Sequence, residues 1–335
     1  MYDTALIGLG RIASKYSSDK KMQQSLDYYT HAQVLKDHKD FNCIAAVDPS
    51  KEAREYANKT FDLDSFDSID KIENKERIEV LVLATPPERR LEAIKSFPFL
   101  KAVIVEKPLG ISYKESLDFI VECEKRNILV TVNLTRRSDL IMKGLSDGEL
   151  LNRIGKTQFV FGTYGRGVRN YATHLIDLSR MLIGEIKTVQ VLSNHLNQDT
   201  GPIDKDLNLS FKLKTINDVS IIMQPLDFSF YREGGLDIWG EKGRIQIIQE
   251  GLKCVEYSME DCRSLDNAKE IAIDKSNIFK SGYGDALYNL YENLSDSISK
   301  KTALDSPGRS ALNTELIVES LFKSFQEDGK EISCL

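Results

Sequence analysis

The residues with the clearest chemical reading stand near the amino terminus. Gly8-Leu9-Gly10-Arg11-Ile12-Ala13 follows the apolar run TALI at 4–7 and has the spacing GxGxxA. After a strand, the first glycine of such a loop permits a tight turn. The second leaves no side chain in the way of a pyrophosphate, and the small third residue lets the next helix pack against the strand. A helix start at this point would add free N–H groups and a positive dipole, completing an anion cradle. The chemistry implied is dinucleotide binding, with Gly8 and Gly10 at its centre. Asp48 ends the second apolar run, where a carboxylate can bond the adenosine ribose hydroxyls and repels a 2′-phosphate, so NAD is favoured. Lys51 and Arg54 lie close enough to leave NADP open, and a turn-forming Asp before Pro49 is the competing reading.

These residues need a scaffold, and the first 133 residues supply its pattern. Short, nearly continuous apolar runs (TALI, CIAAV at 43–47, VLVLA at 80–84, AVIV at 102–105, ILVTV at 128–132) have the Val- and Ile-rich character of parallel strands buried on both faces. Helical patterns fall between them at 51–60, 88–96 and 112–126. The alternation predicts an α/β fold, a doubly wound parallel Rossmann sheet. Asp48 lies forty residues beyond Gly8, against about twenty in the usual fingerprint. The excess falls between Ser14 and Thr30, a polar, tyrosine-bearing insertion that reads equally as a lid near the cofactor or as a surface loop.

From residue 134 the pattern changes. A helix is predicted over 140–150, a strand over 156–164, and an amphipathic helix over 169–184 ended by Gly184. Strands follow at 186–193, 207–214, 219–226, 236–240 and 244–249, and two helices, at 285–299 and 309–325, close the chain. Grouped strands predict an α+β domain on an open, largely antiparallel sheet. The expected division is 1–133 for dinucleotide binding and 134–335 for substrate binding and oligomerisation.

Composition narrows the function. At 335 residues, with 41% apolar and 29% charged residues, the chain suits two globular domains and is too apolar for disorder. A net charge of −6 and a pI near 5.5 argue against nucleic-acid binding. No apolar run is long enough to span a bilayer, and the start has no signal-peptide pattern; a cytoplasmic location is expected. The five cysteines are odd in number and lack a CxxC pair, so reduced thiols are expected. Four scattered histidines give no metal site.

Several motifs then converge. With GLGRIA at the start, the chain has ATPP at 84–87, Glu106-Lys107-Pro108 after the fourth apolar run, RR at 136–137, NYATHLID at 170–177 and WGEKGRI at 239–245. In these it resembles the Gfo/Idh/MocA family of NAD(P)-dependent oxidoreductases acting on sugars and cyclitols, from residue 1 to the last helix. The resemblance implies that Arg11, Ile12, Thr85, Pro86 and Glu106 join Gly8, Gly10 and Asp48 around the cofactor. It implies that Lys107 and His174 line the substrate pocket, and that the open sheet face pairs subunits into a homodimer or homotetramer. TyrGlyArgGly followed by Asn-x-x-x-His is similar to a subgroup associated with surface-polysaccharide and nucleotide-sugar pathways. Two departures stand out: Asn170 replaces the family's Asp, and the histidine usual after the TP turn is replaced around Arg89-Arg90.

Oxidising a carbinol removes a hydride and a proton. An imidazole titrates near neutrality, so His174 is the expected general base. Lys107 can stabilise the alkoxide, and a cis Lys107–Pro108 bond would aim it into the cleft. Asn170, four residues before His174, shares its helix face but can only hydrogen-bond. Asp177 orients His174 or bonds backbone or solvent. His31, His38 and His195 receive no role. Arg136, Arg137, Arg166 and Arg169 together favour an anionic sugar, with Arg137, Arg166 and Tyr171 as substrate contacts; Tyr164 and Tyr171 could equally be core. The leading expectation is a sugar dehydrogenase or ketoreductase. A neutral polyol or inositol dehydrogenase and a non-catalytic dinucleotide-binding relative are the alternatives.

Overall fold

The computed structural model describes residues 1–18, 20–195 and 199–335. The first stretch of chain contains β1 (Tyr2–Ile7), α1 (Lys20–Ser25), α2 (His31–Asp37), β2 (Phe41–Val47), α3 (Lys51–Phe61), β3 (Ser65–Phe66), β4 (Val80–Leu83), α4 (Arg90–Lys95), β5 (Ala102–Val105), α5 (Tyr113–Lys125) and β6 (Leu129–Val132). Then come α6 (Leu140–Gly144), α7 (Leu150–Ile154), β7 (Thr157–Tyr164), α8 (Thr173–Ile183), β8 (Ile186–Asn194), β9 (Leu209–Thr215), β10 (Ser220–Pro225), β11 (Gly235–Gly240), β12 (Arg244–Ile248) and β13 (Lys253–Tyr257). The chain closes with β14 (Met259–Asp261), β15 (Lys269–Ile271), β16 (Asn277–Lys280), α9 (Ala286–Lys300), α10 (Gly308–Gln326) and β17 (Ile332–Ser333).

The chain forms two compact units: Met1–Ser138 with Tyr283–Leu312, and Asp139–Gly282 with Asn313–Leu335. This differs from a single division at 133/134, and the reason is hydrophobic. Helix α9 buries Leu287, Leu290, Tyr291 and Leu294 in one cluster with Leu6, Val80, Val82 and Ile104, so it completes the core of the first unit.

The sheet of the first unit has the order β3-β2-β1-β4-β5-β6, parallel throughout. It is the doubly wound order whose ligands bind at the carboxyl ends, where the strand sequence reverses at β1. Residues 80–83 and 102–105 are fully buried, as their continuous apolar runs require.

One element departs from expectation. No regular helix opens at the glycine loop; residues 11–14 form turns and a 3₁₀ turn follows at Lys15–Ser18. Ser14 N–H still bonds the Gly10 carbonyl at 3.0 Å, closing one helical turn. The chain then loops out and returns at α2, whose His31 and Ala32 N–H groups bond the carbonyls of Ile12 and Ala13 at 3.2 and 2.8 Å. Helix α2 thus takes up the hydrogen bonds that the interrupted helix would have made itself, and residues 14–30 are an insertion within it. Thr30 and Gln33 form a reciprocal capping box that starts α2. Of the insertion's described residues, Ser17 has its Oγ 2.6 Å from the Tyr56 hydroxyl and Tyr28 has its ring 4.9 Å from that of Tyr288.

The second unit holds a nine-stranded sheet, β16-β13-β12-β11-β7-β10-β9-β8-β17, in which only β7 and β10 pair in parallel. Helix α8 packs Leu175, Ile176 and Leu178 on one face, against Phe211, Ile221, Met223 and Ile238. The other face carries the half-exposed Phe161 and Trp239. Strands β13, β16 and β17 extend the predicted set at the sheet edges, where short, half-polar segments give no continuous apolar signal. The helix predicted over 140–150 is two short helices joined by a π-turn at Leu145–Glu149, where Gly148 leaves helical geometry. Among the described residues no helix is long and apolar enough to cross a membrane.

His38, buried at the end of α2, shows one consequence of this packing. Its ring lies 5.0 Å from Phe41 and 4.7 Å from Tyr288. Burial lowers its pKa below the ordinary 6.5, more than Glu292 and Asp40 raise it. A histidine depressed in the folded state binds protons more readily unfolded. Its contribution is therefore complete above 6.5 and is lost as pH falls below that value. Unfolding free energy from urea titrations at pH 7.5 and 5.5 should fall less for His38→Gln than for the wild type. Equal slopes would contradict the assignment.

Candidate functional site

The ladder hydrogen bonds place four loop starts side by side on the parallel sheet. Gly8 N–H bonds Val47, Ala84 bonds Ile7, Glu106 bonds Leu83 and Asn133 bonds Val105, at 2.8 to 3.0 Å. Gly8 has φ +91°, and a Cβ there would stand 2.7 Å from the Ala84 carbonyl, so β1 and β4 can approach only around glycine. Gly10 is different. Its φ is not positive, and a Cβ would meet nothing within 4 Å. Neither backbone nor packing calls for glycine at that position; an approaching ligand does. The N–H groups of Gly10, Arg11, Ile12 and Ala13 donate to no acceptor among the described residues. The loop is therefore receptive to an anion even though only one helical turn follows it, and a dinucleotide pyrophosphate fits.

Asp48 does more than occupy a ribose position. Its Oδ2 accepts the Leu9 N–H and its Oδ1 that of Ser50, both at 2.8 Å, so it fixes the glycine loop and the turn after β2. Arg54 donates from Nη1 to the carbonyls of Asp48 and Pro49 at 2.7 and 3.0 Å.

Thr85-Pro86 and Lys107-Pro108 are held together by Arg90, at the position where the family's usual histidine is replaced. Its buried guanidinium donates to the Thr85 carbonyl at 3.1 and 2.8 Å, to Leu109 at 3.2 Å and to Pro108. The Lys107–Pro108 peptide is cis.

Glu106 is nearly desolvated, its side chain 12% exposed. Burial raises its pKa, but the hydrogen bond and charge of His31, the hydrogen bond of Asn133 and the charge of Lys107 together outweigh that and hold it below the usual carboxylate range. His31 Nε2 lies 2.9 Å from Oε1 and its Nδ1 2.8 Å from the Tyr291 hydroxyl. His31 was assigned no role from sequence. The signal that could have raised it is Thr30-His31-Ala32-Gln33, a capping box that fixes the histidine at the first position of a helix.

In the second unit, the chain leaves β7 through Gly165, Arg166 (φ +60°) and Gly167 (φ +94°), and a Cβ on Gly167 would lie 2.0 Å from Asp206 Oδ2. That contact lets the buried Asp206 carboxylate accept the N–H groups of Arg169 and Asn170 at 3.0 and 2.9 Å. Asp206 thus caps a π-turn at Val168–Ala172 that runs into α8, placing His174 in its first turn, partly buried. Burial raises the Asp206 pKa against these bonds. Asn170 donates its carboxamide to the Arg166 carbonyl at 2.9 Å.

Several sequence expectations change here. The amphipathic helix begins as this π-turn and is α-helical only from Thr173. Tyr164 is fully buried with its hydroxyl on Leu209, so it is core. Tyr171, given as a substrate contact, is buried against Phe228, with its ring edge toward His174 at 6.4 Å. Asp177 accepts from Thr314 and Arg180 inside the unit. Of the arginines, Arg136 lies over the Tyr283 ring, Arg169 over Phe322, and Arg166 pairs with Asp199 at 3.0 Å. Among the described residues no three His, Cys, Asp or Glu gather as metal ligands.

A doubly wound sheet with an anion-receptive glycine loop at its reversal point defines a dinucleotide-binding domain. The comparisons agree: the model of the oxidoreductase family with the NAD-binding Rossmann fold matches residues 3–134, and that of its C-terminal alpha/beta domain matches 165–332. The chain belongs to the Gfo/Idh/MocA oxidoreductase family, and its first unit carries that family's NAD-binding Rossmann domain. No curated protein sequence matches it. Its fold is shared by an oxidoreductase from Agrobacterium radiobacter in complex with NAD+, L-tartaric acid and magnesium (14% identity, 99% of this chain and 98% of that chain, TM-score 0.75). It is also shared by the WlbA dehydrogenase from Bordetella pertussis in complex with NADH and UDP-GlcNAcA (18%, 99% and 98%, 0.74) and by levoglucosan dehydrogenase with NADH and levoglucosan (17%, 99% and 99%, 0.75).

The two glycines should separate binding from folding. Gly10→Val is expected to leave the melting temperature unchanged and to weaken NADH binding tenfold or more by calorimetry, about the size of losing a good contact. Gly8→Ala is expected to destabilise the protein by about 1–3 kcal/mol. Arg90→Met should cost about 2–4 kcal/mol in urea unfolding, because buried carbonyls lose their donors, while the exposed neighbour variant Arg89→Met stays within about 0.5 kcal/mol.

Proposed function

We propose that this protein is an NAD-dependent dehydrogenase or ketoreductase of an anionic sugar, nucleotide-linked or carboxylated, acting in the cytoplasm as a homodimer or homotetramer. The observation that carries the reading is Lys107. It stands directly after a buried, ionised carboxylate at the carboxyl edge of the NAD-binding sheet, and its charge is among those that hold Glu106 below the usual carboxylate range. Gly8, Gly10, Arg11 and Ile12 hold the pyrophosphate, Asp48 the adenosine ribose, and Thr85, Pro86 and Glu106 the nicotinamide half. Bound NAD supplies the hydride acceptor.

The chain's own groups manage the proton and the charge. His174 takes the hydroxyl proton in oxidation and returns it in reduction. The Lys107 ammonium stabilises the alkoxide. Asn170 carries no charge and serves by hydrogen bonding to a substrate hydroxyl. Arg137 and Arg166 offer guanidinium donors to the anionic part of the substrate, and Tyr171 offers its ring and hydroxyl to the sugar. The half-exposed face with Phe161 and Trp239 is the surface through which subunits pair.

A second reading, a neutral polyol dehydrogenase, is favoured by one observation. Arg136 and Arg169 stack on protein rings, which halves the cationic set the sequence suggests.

Turnover of uridine-diphosphate sugar acids should be visible as the absorbance of reduced nicotinamide. Lys107→Met and His174→Ala should each lower kcat by about a hundredfold or more without unfolding the protein. Turnover of myo-inositol in preference to the sugar acids would favour the second reading. NADH binding without turnover of any of them would leave a non-catalytic relative.

A further inference from the structure

Glu106 is held in an uneven way. Both donors that the protein supplies converge on one oxygen: His31 Nε2 at 2.9 Å and Asn133 Nδ2 at 2.6 Å on Oε1. Oε2 takes no donor among the described residues. A carboxylate has lone pairs for about four donors, so crowding one oxygen leaves the other as the natural acceptor for an incoming hydroxyl. The two donors are themselves fixed. Asn133 accepts from the Thr135 hydroxyl at 2.8 Å, and His31 meets the Tyr291 hydroxyl at 2.8 Å. A carboxylate only accepts, so Nε2 carries a proton and donates to Oε1.

His31 also reaches in the other direction. Its N–H bonds the Ile12 carbonyl at 3.2 Å, within the glycine loop's own turn. One fully buried residue is therefore tied by its backbone to the pyrophosphate loop and by its ring to the carboxylate before Lys107. Its side chain never reaches solvent, so it can act on a ligand only through Glu106.

We infer that His31 is a positioning residue that couples the glycine loop to Glu106 and presents Oε2 to a hydroxyl of the nicotinamide ribose. This rests on the cofactor placement proposed above. The prediction concerns one half of the cofactor and not the other, which separates it from a merely structural role.

Asn and Gln place an amide near the positions of Nδ1 and Nε2 respectively. His31→Asn keeps a polar partner for Tyr291 but loses the donor to Glu106; His31→Gln restores it. Calorimetric titration of the full chain with NADH and with ADP, which lacks the nicotinamide ribose, reads the difference. His31→Asn should bind NADH about tenfold more weakly, the loss expected for a hydrogen bond to a charged group, with ADP affinity within about twofold of wild type. His31→Gln should recover most of the NADH affinity. Unchanged NADH binding in His31→Asn, or an equal loss for NADH and ADP, overturns the inference. Gly10→Val is the control: if it weakens both ligands while His31→Asn weakens neither, only the role of His31 fails. If Gly10→Val weakens neither, the cofactor placement fails and the inference with it.

Discussion

A carboxylate withdrawn from water must be given donors or take up a proton, and Glu106 is the place where this chain meets that constraint. It stands where β5 gives way to Lys107, too enclosed for solvent to stabilise its charge. The protein answers with an imidazole from α2 and a carboxamide from the end of β6. Much of the first unit's construction follows. Helix α2 must start where His31 can reach the strand end, Tyr291 of α9 must close the far side of the ring, and β6 must lie beside β5 so that Asn133 is adjacent. A buried polar chain of this kind is favourable only when each member is satisfied, and a missing member leaves a desolvated charge.

The same geometry explains how the domain accommodates an interrupted helix. Ile12 and Ala13 would lack intrahelical partners where the chain loops out, and His31 and Ala32 supply them after the insertion. The first helical turn survives because α2 docks onto it. The glycine loop in turn is held by Asp48 through Leu9, so the groups that shape the anion nest come from β1, β2 and α2 together. Its unbonded N–H groups and the open space at Gly10 are features that only a ligand makes sense of.

The second unit solves a related problem with different parts. The turn that leads into His174 is π-helical, a geometry less favourable than α and often kept where function requires it. Asp206, more than thirty residues away in sequence, stabilises it by accepting its first N–H groups, and Gly167 makes room for that carboxylate. Asn170, which has lost the charge expected at its position, is drawn into the same loop through the Arg166 carbonyl.

By itself the sequence determined the alternation of buried runs and helices, and hence the parallel sheet; the glycine spacing, and hence the anion site; and the motifs that name the family. These are local signals, because burial on both faces, left-handed backbone and the absence of a side chain each select residue types within a few positions. Only the tertiary structure decided that α9 joins the first core, that Tyr164 is a packing residue and Tyr171 is buried against Phe228, and that Arg136 and Arg169 rest on rings. It also decided that His31, Arg90 and Asp206 hold the candidate site. Each of these depends on which distant segments become neighbours, and a histidine or a buried arginine carries no mark in sequence of the carboxylate or carbonyls it will meet. The capping box at Thr30 was the one local trace of His31's place, since it fixes where a helix begins but says nothing of what the helix will face.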